Sequence, residues 1–319
     1  ASGACSKVGG GNTNSATAYY TTVGGGVLNV ASGVNSTIGG GISNSNQGDA
    51  GTIAGGVLNC TCSGGYHAFV GGGRSNCATT RHTAIVGGEN NVASACASFV
   101  GGGQSNTANQ SWSTVAGGSN NSATGGYSAL GGGGYNNASG GYATIGGGLG
   151  NIASGGCSTV SGGRANTSSA NWSTISGGEL NTSSGARSVV GGGYGNTSSN
   201  NYSTVSGGYT NTSDAYGSTV SGGYKNCVNG NNSTIGGGIC NYICCNICRT
   251  CTAGATIGGG VGNNTSGGVW LPLGYFCVAP TLYAAGQLST IGGGFQNRAQ
   301  GIYSTVAGGN SNVACGNRT

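Results

Sequence analysis

The chain has 319 residues, with 75 glycines, 14 cysteines, two prolines, nine Lys or Arg and four Asp or Glu. This composition excludes collagen, because the glycines do not recur at every third position, and it disfavours a disordered chain, which would carry more charge. The net charge of +5 shows no basic run, so we expect no nucleic-acid partner. No apolar run is long enough for a membrane helix, so no membrane insertion is expected, and any signal peptide would already be removed.

A fifteen-residue unit recurs nineteen times along the chain. We number it from an apolar residue at position 0, which is first Val8, then Val23 and Ile38, and last Val306. Positions 2 and 3 are always glycine, position 6 is always asparagine, and position −2 is always small. The spacing departs from fifteen at insertions near 60–66, 242–254 and 265–287. We therefore treat 1–319 as a single repeat array.

The length and composition of the unit predict its structure. Fifteen residues are too few for a helical hairpin, and a Gly-Gly pair in every unit opposes a helix. They suffice for one coil with two short strands and two turns. The sequence thus predicts an all-β fold, a parallel β-solenoid (β-roll) of about 19 fifteen-residue coils. Strand alternation places positions −2, 0, 6 and 8 inside and positions −1 and 7 outside.

The invariant asparagine at position 6 is expected to form an internal row. Side-chain amides stacked at about 4.8 Å can hydrogen-bond from coil to coil, although a turn-capping role or a row of ligands would use the same residues. The row comprises Asn14, Asn29, Asn44, Asn59, Asn76, Asn91, Asn106, Asn121, Asn136, Asn151, Asn166, Asn181, Asn196, Asn211, Asn226, Asn241, Asn263, Asn297 and Asn312.

Charge supports this stacking register. Arg74 and Glu89 share position 4 in consecutive units, and so do Arg164 and Glu179. Opposite charges facing each other across neighbouring strands are what an in-register stack favours.

The segments Ser203–Asn211 and Tyr142–Ser154 resemble the repeats in head domains of YadA-like trimeric adhesins. They are also similar to the glycine- and asparagine-rich repeats of some phage and giant-virus fibre proteins. The resemblance implies a parallel β-roll, often a side-by-side trimer, displayed outside a cell or a virion.

Three exterior rows are candidate interaction surfaces. Position 4 carries the aromatic run Tyr194, Tyr209 and Tyr224, and position 12 carries seven further aromatic residues, Tyr20, Trp112, Tyr127, Tyr142, Trp172, Tyr202 and Tyr303. Such rows can be subunit interfaces or sugar-binding surfaces, or they can simply suit half-buried strand positions. Threonine stands at position −1 in 13 of 19 units, as in ice-binding proteins, but no second threonine follows two positions on. We therefore rank ice binding lowest.

The even number of cysteines favours disulfides in an extracellular protein. Cys60 and Cys77 share position 7 on consecutive coils, and one coil step lies within the Cα separation of a disulfide. Cys62 is the rival partner of Cys77. Cys5 and Cys315 could form an intermolecular disulfide.

A second cysteine group lies in the insertion near 242–254, and it comprises Cys240, Cys244, Cys245, Cys248 and Cys251. Its C-x2-C-x2-C spacing could bind zinc or an iron–sulfur cluster. Because no histidine or acid lies nearby, we expect a disulfide-stapled loop there, with no metal and no cofactor.

Two further features concern the surface. Asn171, Asn201 and Asn231 lie in Asn-x-Ser sequons at position 11, beside a turn, and are the candidate glycosylation sites. The insertion near 265–287 is strongly apolar, so it either folds over its own solenoid or docks a neighbouring subunit or target. Its interface candidates are Trp270, Leu271, Tyr275 and Phe276.

The sequence does not favour an enzyme. Its two histidines, His67 and His82, share position 12 and should stack outward, and no paired carboxylates occur. We expect an extracellular structural fibre subunit at a cell or virion surface. Because the sequence starts and stops inside a repeat, we expect copies to join end to end. The alternative is a trimeric adhesin or host-recognition fibre head that binds a surface glycan or protein.

Overall fold

The computed structural model describes residues 1–243, 253–265 and 286–318, and it has the predicted all-β fold, a parallel β-solenoid of about 19 coils. Its strands are two residues long. Positions −1 and 0 form the first strand of each coil, and positions 7 and 8 form the second. No helix able to cross a membrane occurs among the described residues.

The first strands are β1 (Lys7–Val8), β3 (Thr22–Val23), β5 (Thr37–Ile38), β7 (Thr52–Ile53), β9 (Phe69–Val70), β11 (Ala84–Ile85), β13 (Phe99–Val100), β15 (Thr114–Val115), β17 (Ala129–Leu130), β19 (Thr144–Ile145), β21 (Thr159–Val160), β23 (Thr174–Ile175), β25 (Val189–Val190), β27 (Thr204–Val205), β29 (Thr219–Val220), β31 (Thr234–Ile235), β33 (Thr256–Ile257), β34 (Thr290–Ile291) and β36 (Thr305–Val306). The second strands are β2 (Ser15–Ala16), β4 (Val30–Ala31), β6 (Ser45–Asn46), β8 (Cys60–Thr61), β10 (Cys77–Ala78), β12 (Val92–Ala93), β14 (Thr107–Ala108), β16 (Ser122–Ala123), β18 (Asn137–Ala138), β20 (Ile152–Ala153), β22 (Thr167–Ser168), β24 (Thr182–Ser183), β26 (Thr197–Ser198), β28 (Thr212–Ser213), β30 (Cys227–Val228), β32 (Tyr242–Ile243), β35 (Arg298–Ala299) and β37 (Val313–Ala314).

The chain divides into two compact units, Ala1–Cys157 and a second that begins at Ser158. In each unit, first strands pair with first strands and second strands with second strands, in parallel and one repeat apart. Thr22 thus faces Thr37 in unit 1, and Thr204 faces Thr219 in unit 2. A single-residue bridge at position 4 adds a third ladder, for example from Val27 to Ile42, which the sequence did not indicate.

The interior is narrow and largely polar. Position 0 supplies one fully buried apolar side chain per coil, such as Ile38 or Val205, and positions −2, 6 and 8 are also buried as predicted. Position 10 is also buried in most coils where it is glycine, such as Gly125 and Gly140, which the repeat pattern did not indicate. A Cβ added to Gly125 would lie 2.0 Å from the carbonyl oxygen of Gly140, so the coils approach closely there.

Two turns per coil place non-glycine residues in the left-handed region. Position 5 does so at Leu28 (φ 58°), and position 12 does so at Trp112 (φ 56°) and Tyr127 (φ 58°). At these turns the backbone N–H donates to the preceding coil, as from Leu28 to Asn12 at 3.0 Å. In the strands it donates to the following coil, so each coil is bonded to both neighbours.

The asparagine row forms inside the solenoid. Its members are buried in all coils except the first and last of the row, where Asn14 is half-buried and Asn312 exposed. The Asn121 amide donates to the carbonyls of Gly117 and Gly133, both at 2.9 Å, and its Oδ1 accepts the backbone N–H of Asn136 at 3.0 Å. The row is therefore mainly a side-chain-to-backbone ladder. Direct amide-to-amide bonds occur at a few steps, such as Asn44 to Asn29 at 3.0 Å.

The two invariant glycines have different reasons. At position 3, Gly118 has φ 90°, and an added Cβ would lie 2.1 Å from the carbonyl oxygen of Gly133. At position 2, a Cβ on Gly117 would meet nothing within 4 Å. Close approach and positive φ therefore require glycine at position 3. At position 2 there is space for a Cβ, and what favours glycine is the backbone of coils such as that of Gly102, where φ is 147°.

Candidate functional site

Among the described residues, all four acids have structural contacts. Glu89 pairs with Arg74 at 3.4 Å on the neighbouring coil, and Glu179 pairs with Arg164, as the predicted register requires. The hydrogen bond that Arg164 donates to Glu179, reinforced by the negative charge of Glu179, raises the pKa of the exposed Arg164 guanidinium above its usual value.

The two remaining acids hold turns together. Asp49 accepts the backbone N–H of Val34 at 2.8 Å, and Asp214 accepts the hydroxyl of Ser199 at 2.6 Å. His67 and His82 stack face to face on the exterior, with ring centroids 5.5 Å apart, as their shared position predicted. These histidines and acids therefore occupy surface ladders and turns.

Between the Arg164–Glu179 pair and Asn310, the position 4 row of unit 2 is a continuous apolar strip. Successive bridges link Tyr194, Tyr209, Tyr224, Ile239, Val261 and Phe295. Their exposed fractions run from 36 % at Val261 to 47 % at Ile239, so half or more of each side chain is covered. The three tyrosine rings stack with centroids 4.9 and 5.2 Å apart. We call this row the apolar strip.

The position 12 aromatics lie in a turn, so their interpretation as half-buried strand residues was wrong for this row. Trp112, Tyr127 and Tyr142 are 51 %, 48 % and 61 % exposed and stack with centroids 4.8 Å apart. We call these three residues the turn ladder. Because its rings face one another, a ligand can reach mainly their edges. The outer faces at the two ends of the stack are the exceptions, since position 12 is Ala97 before Trp112 and Cys157 after Tyr142.

A cation takes the place of a ring in unit 2. The Arg187 guanidinium lies 4.6 Å from the Trp172 ring centroid and 5.4 Å from that of Tyr202, and it donates to the Tyr202 hydroxyl at 3.1 Å. This sandwich is a cation–π arrangement that covers both ring faces turned toward it.

Among the described cysteines, one pair is joined by a disulfide. Cys60 and Cys77 form a disulfide across neighbouring strands, with a Cα separation of 4.8 Å. Of the two pairings left open by the sequence, the structure has this one. Cys5 and Cys315 are exposed, and Cys240 is buried at a position 5 turn. Cys244, Cys245, Cys248 and Cys251 lie outside the described residues, and so do the interface candidates Trp270, Leu271, Tyr275 and Phe276.

Cys62 lies close to the disulfide. Its sulfur and those of Cys60 and Cys77 all lie within 4.8 Å of one another, and all three residues are half-buried. Three thiolates at this spacing could hold a metal ion only after the disulfide is reduced. The sequence placed Cys62 here as a rival partner, but it did not show that all three sulfurs converge.

The glycosylation candidates lie on the exterior. The Oδ1 atoms of Asn201 and Asn231 accept the backbone N–H groups of Ala186 and Tyr216 at 3.1 and 3.2 Å. The serine hydroxyls of these sequons belong to Ser203 and Ser233, which are fully buried at position −2. Glycan transfer to these asparagines would therefore have to precede folding.

No protein-family model matches the sequence, and no curated protein matches it.

Proposed function

We propose that the chain is a non-enzymatic structural subunit of an extracellular fibre or filament, displayed at a cell or virion surface. The apolar strip carries this proposal. Six apolar side chains on successive coils form one row in unit 2, whereas the longest apolar run of the corresponding row in unit 1 is Val27, Ile42 and Val57, which ends at Arg74. Large exposed apolar patches are typical of protein interfaces.

The proposed occupant of the apolar strip is a second copy of the chain. A straight row repeating at one coil step matches another such row, as in side-by-side solenoids. End-to-end joining is also compatible with the fold, because the hydrogen-bond pattern from coil to coil is the same at each step and a second copy can continue it.

Two other observations support a non-enzymatic, extracellular protein. The acids and histidines have structural partners on the surface, which supports a non-catalytic role. The Cys60–Cys77 disulfide supports an oxidising compartment, since structural disulfides are rare in the cytosol.

Sedimentation velocity at micromolar concentration, with negative-stain microscopy, tests the proposal. Parent chains should form filaments or a discrete oligomer. The triple variant Tyr194→Ser, Tyr209→Ser and Tyr224→Ser should sediment as a smaller species with unchanged circular dichroism. The matched control, which removes three stacked rings from the turn ladder, is Trp112→Ser, Tyr127→Ser and Tyr142→Ser, and it should assemble like the parent. A monomeric parent chain would refute the proposal.

The second candidate is an adhesin that binds a surface glycan, and the uncovered face of Trp112 favours it. A pyranose ring could stack on this face beside Ala97. Glycan-array binding that is lost in the turn-ladder variant, but kept in the apolar-strip variant, would establish this function instead. Thermal hysteresis in the parent chain would favour ice binding through the threonine row at position −1.

A further inference from the structure

The three-sulfur cluster of Cys60, Cys62 and Cys77 has one cysteine more than a disulfide needs. Cys60 and Cys77 face each other across strands β8 and β10 at position 7. Cys62 follows Cys60 by two residues, and side chains two apart along an extended chain point to the same side. Extended backbone therefore places the Cys60 and Cys62 side chains on the same face, where both sulfurs lie near that of Cys77.

Local backbone bonds hold Cys62 in this place. Its N–H donates to Ala78 at 3.3 Å, and its carbonyl accepts the N–H of Gly65 at 2.7 Å. The chain takes two extra residues between Ile53 and Val70, and this insertion directly follows Cys62. Cys62 is half-buried, like its two neighbours, so all three sulfurs remain within reach of one another and of solvent.

We propose that this cluster is a thiol–disulfide exchange site in which Cys60 and Cys62 alternate as the partner of Cys77. The Cys62 thiolate attacks Sγ of Cys77, a Cys62–Cys77 bond forms, and the Cys60–Cys77 bond breaks. The electron pair leaves on Sγ of Cys60, which takes up the proton that Cys62 has lost. No oxidant or reductant is consumed, because one disulfide and one thiol are present both before and after the exchange.

The exchange has a specific consequence. Cys60 and Cys62 belong to the same coil, and Cys77 belongs to the next. The covalent link between the two coils is therefore kept in both states, and only the free thiol moves. If an external thiol attacks Sγ of Cys77, it forms a mixed disulfide with Cys77 and releases Cys60 as a thiol. A thiol of the neighbouring coil can then displace the external thiol and restore the link.

Peptide mapping of the full chain tests the proposal. Trypsin should release residues 8–74, which contain only Cys60 and Cys62, joined to residues 75–81, which contain Cys77. The free thiol is alkylated under acid quench after incubation at mildly alkaline pH, and fragmentation between Cys60 and Cys62 shows which one carries the label. Both should be labelled, with the minor one at about one-tenth of the major one or more.

Variants sharpen this test. Cys60→Ser should form a Cys62–Cys77 disulfide in most molecules, and Cys62→Ser should retain only Cys60–Cys77. Cys96→Ser, a half-buried cysteine on another coil, is the control and should leave the labelling ratio unchanged.

Three results would overturn the proposal. The first is label at Cys62 alone in the parent chain. The second is unpaired Cys62 and Cys77 in a folded Cys60→Ser chain. The third is a Cys60–Cys62 disulfide, which would unlink the coils. If Cys60→Ser does not fold, the parent labelling pattern decides alone.

Discussion

The coils between 75 and 155 and those between 158 and 218 share one backbone but fill the interior differently. Position 8 is alanine in the first region, as at Ala108 and Ala123, and serine in the second, as at Ser183 and Ser213. We call them the alanine coils and the serine coils. All of these residues are fully buried, so the difference concerns hydrogen bonding inside the solenoid rather than exposure.

In the serine coils each position 8 hydroxyl has a partner. The Oγ atoms of Ser183 and Ser188 lie 2.6 Å apart, and those of Ser213 and Ser218 are the same distance apart. In the alanine coils, Ser128 at position −2 faces an alanine, and its hydroxyl has no hydrogen-bond partner. A buried hydroxyl is stabilising only with a partner. Positions −2 and 8 therefore act as a hydrogen-bonded pair when both are serine.

The largest expected loss of stability is at the position 3 glycines. It should be the same in both regions, because they share one backbone. Gly118→Ala and Gly208→Ala each place a Cβ within 2.3 Å of a backbone oxygen on the next coil, at φ 90°. Each should lower the free energy of unfolding by about 3 kcal/mol or more, measured by urea unfolding.

The adjacent glycines are the controls for this prediction. Gly117→Ala and Gly207→Ala meet nothing closer than 3.9 Å and should cost less than about 1 kcal/mol. Equal losses at positions 2 and 3 would contradict the close approach of neighbouring coils.

The next effect should separate the two regions. Ser218→Ala leaves the Ser213 hydroxyl buried without its partner, and it should cost about 1–3 kcal/mol. Ser128→Ala removes a hydroxyl that has none, so it should be neutral or stabilise by up to about 1 kcal/mol. Amide hydrogen exchange of the mutated coil measures both changes in stability. A similar loss at Ser218 and Ser128 would show that the two regions do not differ in this respect.

The smallest expected effect comes from introducing the serine pair of positions −2 and 8 into the alanine coils. Ala123→Ser supplies a partner for Ser128 and should stabilise by about 0.5–1 kcal/mol. The same substitution in a Ser128→Ala background buries a lone hydroxyl and should destabilise. A double-mutant cycle on thermal unfolding checks this change of sign. An equal effect in both backgrounds would show that the two positions do not interact.

Much of the fold could be predicted from the sequence, because a fixed period assigns every side chain once one coil is understood. The interior positions −2, 0, 6 and 8 and the Arg74–Glu89 register are examples. The left-handed turns could not be predicted, because residues such as Leu28 and Trp112 are not the glycine or asparagine that usually indicates them. The bridge at position 4 is too short to show alternation.

The candidate site was less predictable. Stacking of the position 12 rings follows from the period, but coverage of their faces depends on side-chain orientation. The sequence left Cys60 and Cys62 as rival partners of Cys77, and the structure shows why both were reasonable, since all three sulfurs lie together.

The central claim is that the asparagine row, identical in both regions, holds the coils in register. Asn121 and Asn211 make equivalent bonds, two from the amide nitrogen to glycine carbonyls and one accepted from the next backbone N–H. Replacement of Asn121 by alanine removes all three bonds and leaves the Gly117 carbonyl and the Asn136 backbone N–H without partners, whereas the Gly133 carbonyl still accepts the N–H of Ser119.

Urea unfolding of Asn121→Ala and Asn211→Ala, with the exposed Asn109→Ala as control, tests this claim most directly. We expect Asn121→Ala and Asn211→Ala each to lower the free energy of unfolding by about 3 kcal/mol or more, with the two losses equal within about 1 kcal/mol. Asn109→Ala should lower it hardly at all. If either buried variant unfolded at the same urea concentration as Asn109→Ala, the row would not be what holds the coils together.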